Sequence, residues 1–268
     1  MRALIALAAA TVLTLSRYRA EYIWSMLSPL FWVISAWLIV KYAQLSGYYP
    51  VADRNADLLV YFLIGGMYWN YVEAVWSIAL SLRSHMRLGT LEMLWSTPAP
   101  RLSFILGWSV GRLLGVTLHS LVLFLALAGF SSVHLPPLPL ERWLIAVGVG
   151  IASILAAYGF AFVLVGLTLR FKDAESLVGM LGNAAPLVGG ILFPVTLLPL
   201  PLRILSYAFP FTYGVDVLRG LIVRSETLLP LSVEVGLVVG MGLLFLAVGW
   251  WVFAVMERKA RREGLGIY

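Results

Sequence analysis

Six stretches of this chain run for about twenty residues with almost no charge, at about 24–42, 58–81, 103–130, 143–169, 176–198 and 231–256. A helix needs ~20 consecutive apolar residues to cross a hydrocarbon core of ~30 Å. In lipid every backbone amide and carbonyl must be satisfied internally, which leaves helices and closed barrels as spanning structures. The runs are too long, and lack the ~10-residue alternating segments, for barrel strands. Composition agrees: 61% of residues are hydrophobic and 12% charged, whereas soluble domains carry ~25% charged residues. Polar side chains cannot cover that much apolar surface, so lipid must be the solvent. The expectation is an all-α integral membrane protein, a single domain over 1–268 with six transmembrane helices.

The basic residues orient it. One side collects Arg2, Arg17, Arg19, Arg83, Arg87, Arg101, Arg170, Lys172, Arg258, Lys259, Arg261 and Arg262. The other has Lys41, Arg54, Arg142, Arg203, Arg219 and Arg224, and Arg112 lies inside a run. The excess of positive charge on cytoplasmic loops places both termini and the 83–101 segment in the cytoplasm of a multi-pass plasma (inner) membrane protein. The opening "MRALIALAAATVLTLSRYRAEY" imitates a signal peptide, but its small-residue triplet lies within the apolar stretch rather than after it. Residues 1–22 are expected as an interfacial helix on the cytoplasmic leaflet.

Residues 199–228 are too polar for a seventh span and too apolar for a free loop. They are expected as a re-entrant helical hairpin on the outer side, carrying Pro199, Pro210, Tyr213, Asp216 and Arg219. Gly111/Gly115 and Gly236/Gly240 have the GxxxG spacing that lets helix backbones approach closely.

Several chemistries are excluded. There is no cysteine, so no disulfide, thiol catalysis or thiolate metal site. No GxxxxGK[ST] occurs, so the chain does not hold ATP by a P-loop. His85, His119 and His134 lack HExxH spacing, which argues against zinc. "GWSVG" at 107–111 has the letters of a nucleophile elbow but opens a long helix instead of a strand–turn–helix corner. No catalytic residue, metal or nucleic-acid partner is expected.

One polar island interrupts the pattern: "RLGTLEMLWSTPAPR", Arg87 to Arg101. Thr90 can cap a short helix over "LEMLW", Glu92 suits its first turn, and Pro98 and Pro100 end it. Leu91, Leu94 and Trp95 would then be available to a partner. From physics alone, an amphipathic loop resting on lipid accounts for the same residues equally well.

The island's Gly-Thr-Leu-Glu, its apolar pair and Thr-Pro, between the second and third runs, resemble the coupling helix of the ABC type-2 exporter permeases. A second match is "ILFPVTLLPLPLRILSYAFPFTYGVDVLRGLI" at 191–222, similar to that family's Phe-Pro, Pro-x-Thr-Tyr and Asp-x-x-Arg signature. The resemblance, with the six-run topology, covers essentially the whole chain. It implies a permease subunit that pairs with a second permease chain, expected as a homodimer, and binds two copies of a separate ATPase. ATP and magnesium would sit on that partner. Arg87, Gly89, Thr90, Leu91, Glu92, Leu94, Thr97 and Pro98 would form the contact to it. The cargo implied is amphipathic: a drug, a lipid or a lipid-linked saccharide.

Ionisable residues inside spans are functional candidates because a charge at mid-bilayer costs ~2.5–3.5 kcal/mol even on lenient scales. Glu73 and Arg112 lie at similar depths of neighbouring runs and are expected to pair, either as a static lock or as a gate. Asn70, Glu73 and Ser77 share one helix face. Tyr68 and Trp69 fall mid-membrane, where they serve either cargo stacking or helix packing. Asn183 and Pro186 mark an expected kink in the fifth run. The competing reading, a secondary transporter or channel not driven by ATP, calls for internal symmetry between halves. None is persuasive between 1–130 and 143–268.

Overall fold

The computed structural model of the protein describes residues 58–97, 101–128, 138–170 and 174–263, with isolated positions between 34 and 46. The expected interfacial helix and most of the first expected span lie outside the described residues, as does Pro98. Among the described residues all regular structure is helical. In chain order the helices are α1 (Leu58–Trp76), α2 (Ile78–Arg87), α3 (Thr90–Trp95), α4 (Arg101–Ala128), α5 (Leu140–Arg170), α6 (Ala174–Val188), α7 (Leu200–Ser206), α8 (Pro210–Ile222) and α9 (Leu231–Glu263).

Among the described residues three helices are long and apolar enough to cross a membrane: Ser103–Leu121, Leu140–Thr168 and Leu231–Lys259. They coincide with the third, fourth and sixth expected spans. The second expected span is divided. Its helix is interrupted at Ser77 and resumes as α2 to Arg87. The Ser77 hydroxyl donates to the Ala74 carbonyl at 3.0 Å, a local bond that competes with the helical ladder.

The fifth expected span, 176–198, is corrected more strongly: α6 stops at Val188. Gly190 takes φ +70°, a left-handed conformation that glycine adopts freely. The amides of Ile191 and Leu192 then fold back onto the Pro186 carbonyl at 3.1 and 3.2 Å, closing the helix end. After Pro194 comes a 3-10 turn, Val195–Leu197. Apolar composition carried the expected helix across a stop that Gly189, Gly190 and Pro194 spell out.

Residues 199–228 hold two short helices, α7 and α8, each with proline in its first turn, where the missing amide is harmless. Side chains knit them together. Thr212 Oγ1 donates to the Ser206 carbonyl at 2.8 Å, Tyr213 OH to that of Tyr207 at 3.1 Å, and Ser206 Oγ to that of Val188 on α6.

Helix α5 is the centre of the fold, packed by α9, α8, α1 and α2. Its seam with α9 is backbone on backbone. A Cβ on Gly249 would overlap the Gly159 carbonyl, one on Gly159 would overlap that of Phe245, and one on Gly242 would lie 2.9 Å from the Ala152 oxygen. The expected GxxxG pair on this helix lies off that seam: among the described residues nothing comes within 4 Å of a Cβ on Gly236 or Gly240. Phe160 fills the adjoining core, stacked on Phe245 at 4.6 Å and on Trp76 at 5.7 Å.

Candidate functional site

Among the described residues, three polar clusters stand out. The first is the turn from α2 to α3. Gly89, at φ +67°, permits the reversal. Thr90 does not cap α3 as expected; it is the first residue of the helix and its hydroxyl reaches back to His85, 3.3 Å from the carbonyl and 2.9 Å from Nδ1. His85 stacks on Trp108 of α4 with centroids 4.5 Å apart and planes 4° from parallel. Burial holds that imidazole below its usual pKa. The turn is thereby pinned to two helices.

Leu91, expected to face a partner, is 1% exposed and belongs to the core. The face that α3 and its turn present outward is Arg87, Leu88, Gly89, Met93, Ser96 and Thr97. Leu88 is 74% and Met93 65% exposed. Sequence reasoning missed both, although helical spacing puts Met93 on the side opposite Leu91. The side chains of Glu92 and Leu94 are outside the described residues.

The second cluster joins α1 and α4. Each of Glu73 and Arg112 is the charge acting on the other, but a guanidinium nitrogen of Arg112 donates to Ser77 Oγ at 2.6 Å, so the arginine meets the helix interruption itself. Tyr71 OH donates to Thr117 Oγ1 at 3.2 Å on the same interface. Asn70 is half-buried, while Glu73 is exposed. Tyr68 and Trp69 are 5% exposed and pack within the core. Trp69 lies 6.2 Å from Trp76, and Tyr68 reaches Gly214 of α8, where a Cβ would overlap its hydroxyl. Asn183 is exposed on α6.

The third cluster surrounds α8. Arg219 is 1% exposed. Its Nε donates to the Tyr61 carbonyl at 3.1 Å, and its two terminal nitrogens donate to those of Gly190 at 2.8 Å and Ile191 at 2.7 Å. The guanidinium also lies 3.8 Å from the centre of the Tyr61 ring. A Cβ at Gly65 of α1 would meet this guanidinium and the Ile191 carbonyl, so glycine is what admits them. Arg219 therefore satisfies carbonyls that the early stop of α6 leaves open. Its neighbour Asp216 accepts from the Leu228 amide at 2.8 Å, and Glu234 of α9 accepts from the Leu229 amide at 2.8 Å. A cavity of about 240 Å³ opens here, lined by Tyr61, Thr196, Thr212, Asp216, Glu226 and Thr227 among others.

Pro199 and Pro210 start α7 and α8, and Tyr213 ties one to the other, so the expected outer residues are brought into one neighbourhood. Glu234 was missed; its signal was an acid in the first turn of a helix whose run 231–256 is otherwise without charge. Among the described residues no group of acidic and histidine side chains could hold a metal ion. The clusters offer buried polar anchoring at one end of the fold and an exposed apolar tip on α3. A protein-family model described as ABC-2 type transporter matches residues 2–223. No curated protein matches the chain.

Proposed function

The chain belongs to the ABC-2 type transporter family, and from that premise we propose that it forms the translocation pathway of an ATP-driven exporter for an amphipathic substrate. Membership makes it a membrane permease, a transport component of an ABC system that works with an ATPase subunit. The finer reading is ours. Two permease chains pair as a homodimer in the plasma (inner) membrane with cytoplasmic termini and six spans. Two ATPase copies, holding ATP and magnesium, dock on the segment 83–101. Residues 199–228 form the outer re-entrant closure.

The observation that supports this is the α2–α3 turn. A surface helix of six residues is bolted to α2 and α4 through Thr90, His85 and Trp108, while Leu88 and Met93 stay bare. A rigid mount with an apolar tip and flanking Arg87 suits the receipt of force from a partner. Co-purification tests it. The nucleotide-binding subunit encoded with this chain should follow it, and Met93→Asp or Leu88→Asp should weaken that association about tenfold or more, the scale of a central interface contact. Both substitutions are at exposed positions and should leave thermal stability unchanged. Retention of the ATPase by both variants, or transport driven by an ion gradient with this chain alone, would overturn the reading.

A further inference from the structure

The segment 223–230, between α8 and α9, is held by two acids. Asp216 of α8 accepts the Leu228 amide and Glu234 of α9 accepts the next one, Leu229, each at 2.8 Å. The segment also packs back on α8, where a Cβ at Gly220 would sit 2.5 Å from Thr227 Cγ2. Glu234 is 0% exposed, and its second oxygen, Oε2, is buried without a hydrogen-bond donor among the described residues. The group its carboxyl meets is that of Asp216. Two ionised carboxylates in contact out of water repel, and neither can donate to the other. One proton between them removes a charge and supplies the missing bond.

Among the described residues, the other groups facing the pair do not supply that donor. Arg219 on α8 has Nε and both terminal nitrogens committed to the carbonyls of Tyr61, Gly190 and Ile191. Tyr213 on α8 donates its hydroxyl to Tyr207. From α1 comes Tyr61, whose ring lies against Arg219. Glu226 adds a further acid on the lining of the cavity. The face of α5 packed here is Ala146, Val149 and Ala152, without charge. Burial pushes the Asp216 carboxyl above the ordinary range, with the Leu228 amide and Arg219 pulling the other way.

We propose that Asp216 and Glu234 hold a single proton between them, and that this proton latches segment 223–230 across the ends of α8 and α9. Loss of the proton leaves two buried negative charges side by side, and the segment detaches. This assignment does not depend on the cargo or on the ATPase.

The test uses the full chain in lipid nanodiscs. Infrared difference spectra should show a protonated carboxylic acid near neutral pH that is lost in Glu234→Gln and in Asp216→Asn. Hydrogen exchange at Leu228 and Leu229, corrected for base-catalysed intrinsic exchange, should lose protection at least about tenfold as pH rises from mildly acidic to alkaline, the equivalent of one pKa unit. In Glu234→Gln, whose amide can donate to Asp216, protection should persist without that pH dependence. A carboxylic-acid band absent from the wild type, or surviving in both variants, would overturn the proposal. So would a Glu234→Gln profile that matches wild type. If neither variant folds, wild-type protection that does not change with pH overturns it.

Discussion

Arg219 is the residue on which the packing of α8 against α1 and the end of α6 turns. It is a buried cation balanced by dipoles: three carbonyls and an aromatic face. Removing it leaves acceptors buried without donors, at ~1–3 kcal/mol each. Arg219→Ala should therefore destabilise the folded chain by at least ~3 kcal/mol, read as loss of the thermal unfolding midpoint in detergent. Arg219→Lys should recover only a minor part, since an ammonium on a single stem cannot present a planar fork to three acceptors. A lysine variant as stable as wild type would show that charge alone matters. The sequence marks Arg219 as a charge in an apolar segment and places it near Asp216. It does not show the partners. Tyr61, Gly190 and Ile191 contribute main-chain oxygens, which every residue has, from distant parts of the chain. Leu91 was misread for a related reason. Helical spacing shows that Leu91 and Met93 lie on opposite faces, but which face meets α2 is decided by the Gly89 turn and the Thr90–His85 contact.

Helices were legible where a single property determined them. The cores of α4, α5 and α9 follow from apolar length alone, and their expected bounds fall within a few residues of the observed ones except at the end of α9, which runs on through the basic stretch to Glu263. Boundaries failed where a local signal opposed that property, as at Ser77 and at Gly189 and Gly190. The Gly236/Gly240 pair departed from expectation differently, because spacing identifies a small-residue face but not what lies across from it. Gly249→Ala and Gly159→Ala should each cost ~1–3 kcal/mol or more, the range for overpacking, because the added methyl meets main chain that cannot rotate away. Gly236→Ala and Gly240→Ala should be neutral or slightly stabilising in the same thermal assay, since nothing among the described residues lies within 4 Å and alanine favours the helix. Equal losses at all four positions would contradict this account of the α5–α9 seam. The resemblance of 87–101 to a coupling helix and of 191–222 to a permease signature made the family legible. It gave no way to foresee that Phe193 and Pro194 stand in an irregular turn rather than in a span.

For the whole molecule, pH is a readout of how α8, α9 and the segment between them are joined. The unfolded Asp216 carboxyl titrates near ~4, and burial raises it in the folded chain. The folded state therefore binds more protons than the unfolded one above that value, and stability must fall as pH rises through the raised pKa. An ordinary paired aspartate would give the opposite slope. Thermal stability of the wild type should decline from mildly acidic to alkaline pH, and Asp216→Asn should flatten the decline; a slope unchanged in that variant would assign the effect elsewhere. Nothing in apolar runs or charge bias foretells such behaviour, because it arises where α8, α9 and the segment between them converge. The contact of α5 with α9 bears on motion as well. Two rods that touch main chain to main chain have no side-chain cushion to absorb a slip, so neither can slide along the other without carbonyls colliding. They must travel as one keel, and any rearrangement within this chain has to come from the parts hung beside it.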